Sequence, residues 1–336
     1  TTGGSPATGG TTRGFYQTST ATNIQVFNNL FSITRGGSGS KHGVYLGSTT
    51  STVLSDNNAI HVGGNGSGGL HVGYYSGNQT TLADWQAANS SAYGQNSVAA
   101  DPLFVDITNN NYVPAASLID NIGANLGVGD DLAGVARTTT PDPGAFEFTP
   151  PADDAGISAL ISPVPACAGA NNLVVELSNF GADTLDSVTI NWTMNGGSVM
   201  SQSFTGTIFP GNNQQISLGS VSITGATDFV IWTVNPNGQT DANNNNDTLT
   251  ITGLQPGFAS GTYTIDAAVV TGGTNFQSFG DAVSAMALAG ICGPVVFDVV
   301  PGSGTYNEQV DIPQILGTSS VNTITINGNG DTLAFA

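Results

Sequence analysis

Positive charge is what this sequence lacks most. Its 336 residues hold four Lys or Arg against 23 Asp or Glu, for a formal net charge of −19. The four are Arg13, Arg35, Lys41 and Arg137, and no cationic side chain falls between 138 and 336. Nucleic acid and anionic membranes are therefore poor partners, because phosphate groups are bound by Lys and Arg. Charge of either sign is also scarce, at 8% against about 25% in an ordinary soluble domain. Glu is nearly absent, since 20 of the 23 acids are Asp. Long surface helices, which draw on Glu, Lys and Arg, are thus disfavoured. No apolar run is long enough to span a membrane, and no basic segment precedes an apolar one as in a signal peptide. Direct membrane insertion is not expected, and the opening "TTGGSPATGG" reads as the interior of a longer or processed protein. Two cysteines, Cys167 and Cys292, permit one disulfide and do not by themselves identify a redox compartment.

In place of charge there are 46 glycines and many Thr, Ser and Asn. This composition suits strands joined by turns. Three segments differ in rhythm. Residues 1–150 carry short apolar runs such as "NIQVFNNLFSI", "HGVYLGS" and "GLHVGYY", whose starts lie some 10–25 residues apart. That spacing fits β-solenoid rungs or sandwich strands, with Asn at the bends, where stacked amides can bond to one another. "TLADWQAAN" (81–89) predicts a helical turn or two with Leu82, Trp85 and Ala88 on one side. Residues 151–256 contain seven strand-like runs in about 100 residues, the signature of an Ig-like β-sandwich. In one of them Val188, Ile190, Trp192 and Met194 alternate with polar neighbours. Residues 257–336 open on a strand and an amphipathic helix, 275–290, with Phe276, Phe279, Val283 and Met286 at helical spacing, Asn275 as N-cap and Gly290 as C′ residue. Strands follow. A helix before a strand series would cover the exposed end of a solenoid. The fold class is all-β.

Two stretches carry a resemblance. "NSVAADPLFVDITNNNYVPAASLIDNIG" and "DDLAGVARTTTPDPGAFEF" resemble the C-terminal end of right-handed parallel β-helix domains in secreted bacterial surface proteins. The matching positions are 101–104, Ser117, Ile119, Asp120, Gly123, Asp131, Gly134, Arg137, Asp142, Gly144, Ala145, Glu147 and Phe148. The final stretch, from "FQSFGDAVSAM" onward, resembles the N-terminal end of a second such domain. Together with the middle segment they resemble modular, type IX-secreted surface proteins and adhesins. The resemblance implies a location on the bacterial cell surface and neighbouring modules of the same long chain as partners. It says little of activity, since β-helices include both lyases and non-catalytic stalks.

Candidate chemistry is sparse. A polysaccharide lyase needs a base and a cation near the substrate carboxylate. Arg35, Lys41 and His42 in "TRGGSGSKHGVYL" are the available group, and a loop with ordinary surface charges is the plain alternative. Paired carboxylates for glycoside hydrolysis would come from Asp56, Asp84, Asp101 and Asp106, all in turn-like contexts. His42, His61 and His71 could be metal ligands, but a zinc site needs three or four and no cysteine is nearby; a stacked or exposed pair is the plainer reading, since His61 and His71, ten apart in "HVGG" and "HVGY", could stack on neighbouring rungs or face each other across a turn. Arg137 is expected to pair with Asp130, Asp131 or Glu147 as a structural salt bridge. Cys167 and Cys292, in different modules, would lock them together if bonded.

No cofactor is required by any of these groups. Calcium, which takes six to eight oxygens, has two candidate sites: Asp130 and Asp131 in "VGDDLAG", and Asp241 and Asp247 in "NPNGQTDANNNND". The second stretch reads equally as a hairpin tip, where Asn tolerates left-handed backbone angles. The functional expectation is a non-catalytic, extracellular structural or adhesive segment of a long surface fibre, contacting glycans or other cell surfaces. The alternatives are an accessory part of a secreted lyase or glycosidase, and a carbohydrate-binding module.

Overall fold

The structure, a computed structural model, describes residues 9–64 and 66–335, so most of the opening "TTGGSPATGG" lies outside the described residues. The chain is nearly all β and divides into two compact units. The first runs to Ala152 and adds Phe180–Asp183. The second comprises Asp153–Asn179 and everything from Thr184 onward.

The first unit is a β-solenoid. Its strands are β1 (Thr12–Gln17), β2 (Ile24–Phe27), β3 (Leu30–Ile33), β4 (Lys41–Leu46), β5 (Val53–Asp56), β6 (Ala59–Val62), β7 (Leu70–Tyr75) and β8 (Asn78–Gln79). They stack in parallel as β1–β4–β7, β2–β5 and β3–β6, with Thr12 opposite Lys41, Lys41 opposite Leu70, Ile24 opposite Val53 and Leu30 opposite Ala59. Only β8 runs back antiparallel, on β7. One coil is therefore 29 residues, the separation at which Asn29 meets Asn58. The 10–25-residue spacing of apolar runs counted strands, and three strands make a coil.

Asparagines hold the bends, as the composition suggested. Asn28 and Asn57 adopt φ of 55° and 53°, left-handed angles that Asn tolerates better than most residues. Beside them Asn29 Nδ2 donates to Asn58 Oδ1 at 3.1 Å, and Asn58 Nδ2 donates to the Val26 carbonyl at 2.8 Å. Inside, Val26, Val44, Leu46, Val53, Ile60 and Val72 form the core with Trp85. Trp85 lies on α1 (Leu82–Ser91), capped by Thr81 and Asp84, and the helix leaves regular geometry at Ala88. The ring fits because position 73 is glycine, where a Cβ would stand 2.2 Å from it. Truncating so buried an aromatic costs about 3–5 kcal/mol.

The second unit begins with a sandwich. All seven expected strands form: β9 (Ala155–Ser162), β10 (Gly169–Asn179), β11 (Leu185–Met194), β12 (Met200–Ile208), β13 (Asn213–Ile223), β14 (Thr227–Val234) and β15 (Thr248–Leu254). They make two antiparallel sheets, β13–β10–β9 and β12–β11–β14–β15, around one core. Val188, Ile190 and Trp192 point into it, as the alternation in β11 required.

A second set of parallel strands follows: β16 (Gly261–Ile265), β17 (Asn275–Phe276), β18 (Val295–Val299), β19 (Thr305–Asn307), β20 (Ile324–Asn327) and β21 (Thr332–Ala334). β17–β16–β18–β20 form one parallel sheet and β19–β21 another. The amphipathic helix, α2, spans Phe279–Ala289 and starts later than the pattern implied. Asn275 belongs to β17, and the N-cap is Ser278, whose hydroxyl accepts from the Asp281 amide. The Glu308 carboxylate also accepts the Phe279 and Gly280 amides at 2.9 and 2.8 Å, a favourable charge for a helix N-terminus. Phe279, Ala282, Val283 and Met286 pack on Val295, Phe297 and Val299, so the helix covers the end of the strand series. Gly290 closes it with φ of 73°. Cys167 and Cys292 are disulfide-bonded within this unit, 125 residues apart in sequence. In the loop-closure account a ring of that size stabilises by about 5 kcal/mol. Among the described residues no helix is long and apolar enough to cross a membrane.

Candidate metal centre

The first unit carries every cationic and imidazole side chain of the protein, and its fold uses them. The Arg35 guanidinium donates to Thr12 Oγ1 and to the carbonyls of Gly10, Gly36 and Gly39. Lys41 is fully buried and donates to the Gly37 carbonyl at 3.3 Å. His42, buried beside it in β4, bonds Asn78 Oδ1 through Nε2 at 2.9 Å and stacks on His71, one coil away, at 4.8 Å. Burial holds both imidazoles below the usual value; the Arg13 charge adds to this at His42, and His42 itself at His71. Next to this pair Tyr45 and Tyr74 stack face to face at 4.2 Å, and the Arg13 guanidinium lies over Tyr16 and Tyr45 at 4.1 and 4.4 Å. Tyr45 is thus in contact with both the Tyr74 ring and the Arg13 guanidinium. His61 lies 3.4 Å from the Asp101 carboxylate.

The four acids considered for hydrolysis each serve a turn. Asp56 accepts from the Asn96 amide and side chain, Asp84 caps α1, Asp101 accepts from the Leu103 amide, and Asp106 caps a 3-10 turn. Hydrogen bonds from Thr108 and Asn109 bring Asp106 down to about 2. A depression of about 170 Å³ beside His61, His71 and Thr80 is smaller than the roughly 300–1,000 Å³ of ordinary ligand sites. A wider one along Thr207–Gln214 of the sandwich is lined by no ionisable side chain.

The loop that closes the first solenoid is a complete network. Arg137 donates to Glu147 Oε1 at 2.7 Å and to the carbonyls of Asp142 and Gly144 at 2.9 and 2.8 Å. Asp142 accepts the Asn121 and Phe148 amides, while burial pushes its carboxyl up to about 6. Both oxygens of Asp131 are taken, by the amides of Ala133 and Val135 and by that of Glu147. Among the described residues the Asp130–Asp131 pair gathers no third metal-ligating group.

The Asn-rich stretch 235–247 behaves otherwise. Asp241 and Asp247 converge with Asp154, which directly precedes β9, and one carboxylate oxygen from each lies within 4.8 Å of the others. All three side chains are buried, with residue exposures of 1% for Asp154 and 7% for the other two. The backbone is built around them. The Ala155 amide donates to Asp241 Oδ2 and the Asn243 amide to Asp241 Oδ1, each at 3.0 Å, and Asn246 Nδ2 donates to Asp154 Oδ1 at 2.8 Å. Three acceptors are left over. Asp154 Oδ2, Asp247 Oδ1 and Asn246 Oδ1 are buried with no hydrogen-bond partner among the described residues. Burial and the neighbouring carboxylates push Asp154 up to about 6 and Asp247 to about 7. Every atom here that would face a ligand is an oxygen, the donor set of a hard cation. Asp154 was not a sequence candidate, because "ADD" reads as a junction and lies 92 residues from Asn246. Its one legible signal was the doubled Asp directly before a strand.

The chain matches no protein-family model and no curated protein. Among solved structures it is similar to chitinase ChiW from Paenibacillus sp. str. FPU-7, described as a bacterial cell-surface-expressed multi-modular enzyme machinery. The identity is 11% and the TM-score 0.23, over 74% of this chain and 15% of that one. The likeness carries no activity to this chain.

Proposed function

We propose that the chain is a non-catalytic, extracellular structural segment of a modular bacterial surface protein. In this reading it comprises the end of one parallel β-helix (1–150), an Ig-like spacer (151–256) and the start of a second β-helix (257–336). Adhesive contacts, with glycans or other cell surfaces, would be made by repetition of such segments, weak contacts gaining avidity along a fibre. The observation that carries the reading is the commitment of the cations. With four Lys or Arg in the whole chain, lyase chemistry has Arg35 and Lys41 to work with, and both donate into the solenoid's own backbone.

The test is to assay the purified chain against acidic and neutral polysaccharides, alongside Arg35→Ala and Lys41→Met. The expected result is no turnover by any of the three and a lowered melting temperature in both variants. Turnover by the wild type, abolished in a variant that still melts normally, would establish the enzyme reading instead.

A further inference from the structure

We infer that Asp154, Asp241 and Asp247, with Asn246, form a calcium site that fastens the first strand of the sandwich to the loop between its last two. Four observations bear on it independently. The first is charge. Three carboxylates share one buried pocket, and the chain has no Lys or Arg after Arg137 to neutralise them. The second is the set of orphaned acceptors. Buried polar groups are almost always hydrogen-bonded, yet two carboxylate oxygens and one amide oxygen of these residues are buried with no donor among the described residues. A turn that needed only its own hydrogen bonds would not leave three acceptors unmatched in one place. The third is proximity. One oxygen from each acid lies within 4.8 Å of the other two, no farther apart than ligands on opposite sides of an ion with metal–oxygen distances of about 2.4 Å. The fourth is pre-organisation. The amides of Ala155 and Asn243 and the side chain of Asn246 hold Asp241 and Asp154 in place by one donor to each bonded oxygen, and a carboxylate oxygen has two lone pairs.

The donor chemistry selects the ion. Zinc favours His and Cys, but all three histidines lie in the first unit and both cysteines are in the disulfide. Magnesium keeps several waters and a strict octahedron, which a pocket of three convergent carboxylates and an amide oxygen does not favour. Calcium accepts irregular sets of carboxylate, amide and water oxygens. Bound there, it would tie Asp154, at the threshold of β9, to residues 241–247 before β15. Without it, the like charges would push that loop away from the strand.

The test is calcium titration of the full chain, stripped with chelator, by calorimetry at neutral pH, with thermal melting and proteolysis of the 235–247 loop as second readouts. The expected result is one calcium per chain with a Kd at or below about 10⁻³ M, the range of extracellular modules. Calcium is expected to raise the melting temperature and protect the loop. Asp154→Asn and Asp247→Asn should each weaken binding at least tenfold, Asn246→Ala should weaken it less, and Asp130→Asn should leave it unchanged. Because Asn replaces Asp almost isosterically, the variants should keep the wild-type circular dichroism. Asn246→Ala changes no charge and serves if an Asp variant does not fold. The inference is overturned if the stripped chain takes up no calcium at 5-fold above that Kd, if it prefers magnesium, or if binding survives intact in the folded Asp variants. The last result would place the ion elsewhere, and the first would leave a cluster that balances itself with protons.

Discussion

At the end of the first solenoid, Asp131, Asp142 and Glu147 gather around Arg137; at the base of the sandwich, Asp154, Asp241 and Asp247 gather around no cationic side chain. Both clusters are made of acids in Asn- and Gly-rich loops, and both are stitched to backbone amides. In the first, Arg137 spends its fork on one carboxylate and two carbonyls, and both oxygens of Asp131 are satisfied. In the second, no cationic side chain takes that place and three acceptors have no partner among the described residues. The difference teaches that acid count is a poor guide to a metal site. What separates the two is whether the chain supplies its own cation.

The largest effect should come from making the first cluster resemble the second. Arg137→Met leaves Glu147, whose side chain is 9% exposed, as an uncompensated buried charge, and loss of one partner of such a pair costs about 3–5 kcal/mol. Urea denaturation should show it, and Arg137→Lys should recover only part, since a single ammonium cannot reach all three acceptors as a planar fork does. A full recovery by Lys would mean that charge alone matters there.

The converse change supplies the second cluster with a resident cation. In the wild type, calcium at 100 times its Kd is expected to stabilise by about 2.7 kcal/mol. Asn246→Lys should abolish that increment, so that melts in calcium and in chelator coincide. A variant that still responds to calcium would show that the ion does not sit beside Asn246.

The smallest effect concerns an acid satisfied by neutral donors alone. Asp106, held near pKa 2 by Thr108 and Asn109, has a folded value below its ordinary 3.8. Its contribution is present above about pH 4 and lost as pH falls through 2. The amide resonances of Thr108 and Asn109 should shift together in that window, and Asp106→Asn should remove the transition.

Legibility from sequence was uneven, for physical reasons. The sandwich strands stood out because half-buried strands alternate, as Val188, Ile190 and Trp192 do. The solenoid's 29-residue period was hidden, because each coil holds three strands of four to six residues and the sequence echo between coils reduces to features such as the Asn pairs at 28–29 and 57–58. The helix start was misplaced since Phe276 fits helical spacing but is buried from a strand, β17. At the candidate metal centre, Asp241 and Asp247 are visible in the sequence as a local cluster. Asp154 is not, because it joins them only through the pairing of the sheet and the loop.

The disulfide has a further consequence when the chain is regarded as a tether under load. Strands β10 to β17 and helix α2 all lie between Cys167 and Cys292, which are separated by 125 residues. Pulled from its two ends, the second unit would transmit tension across the sulfur–sulfur bond and bypass that whole interval. Roughly 400 Å of contour, at about 3.3–3.6 Å per residue, is thereby withheld from extension. Reduction would release it, adding that length to what the residues outside the ring can already give.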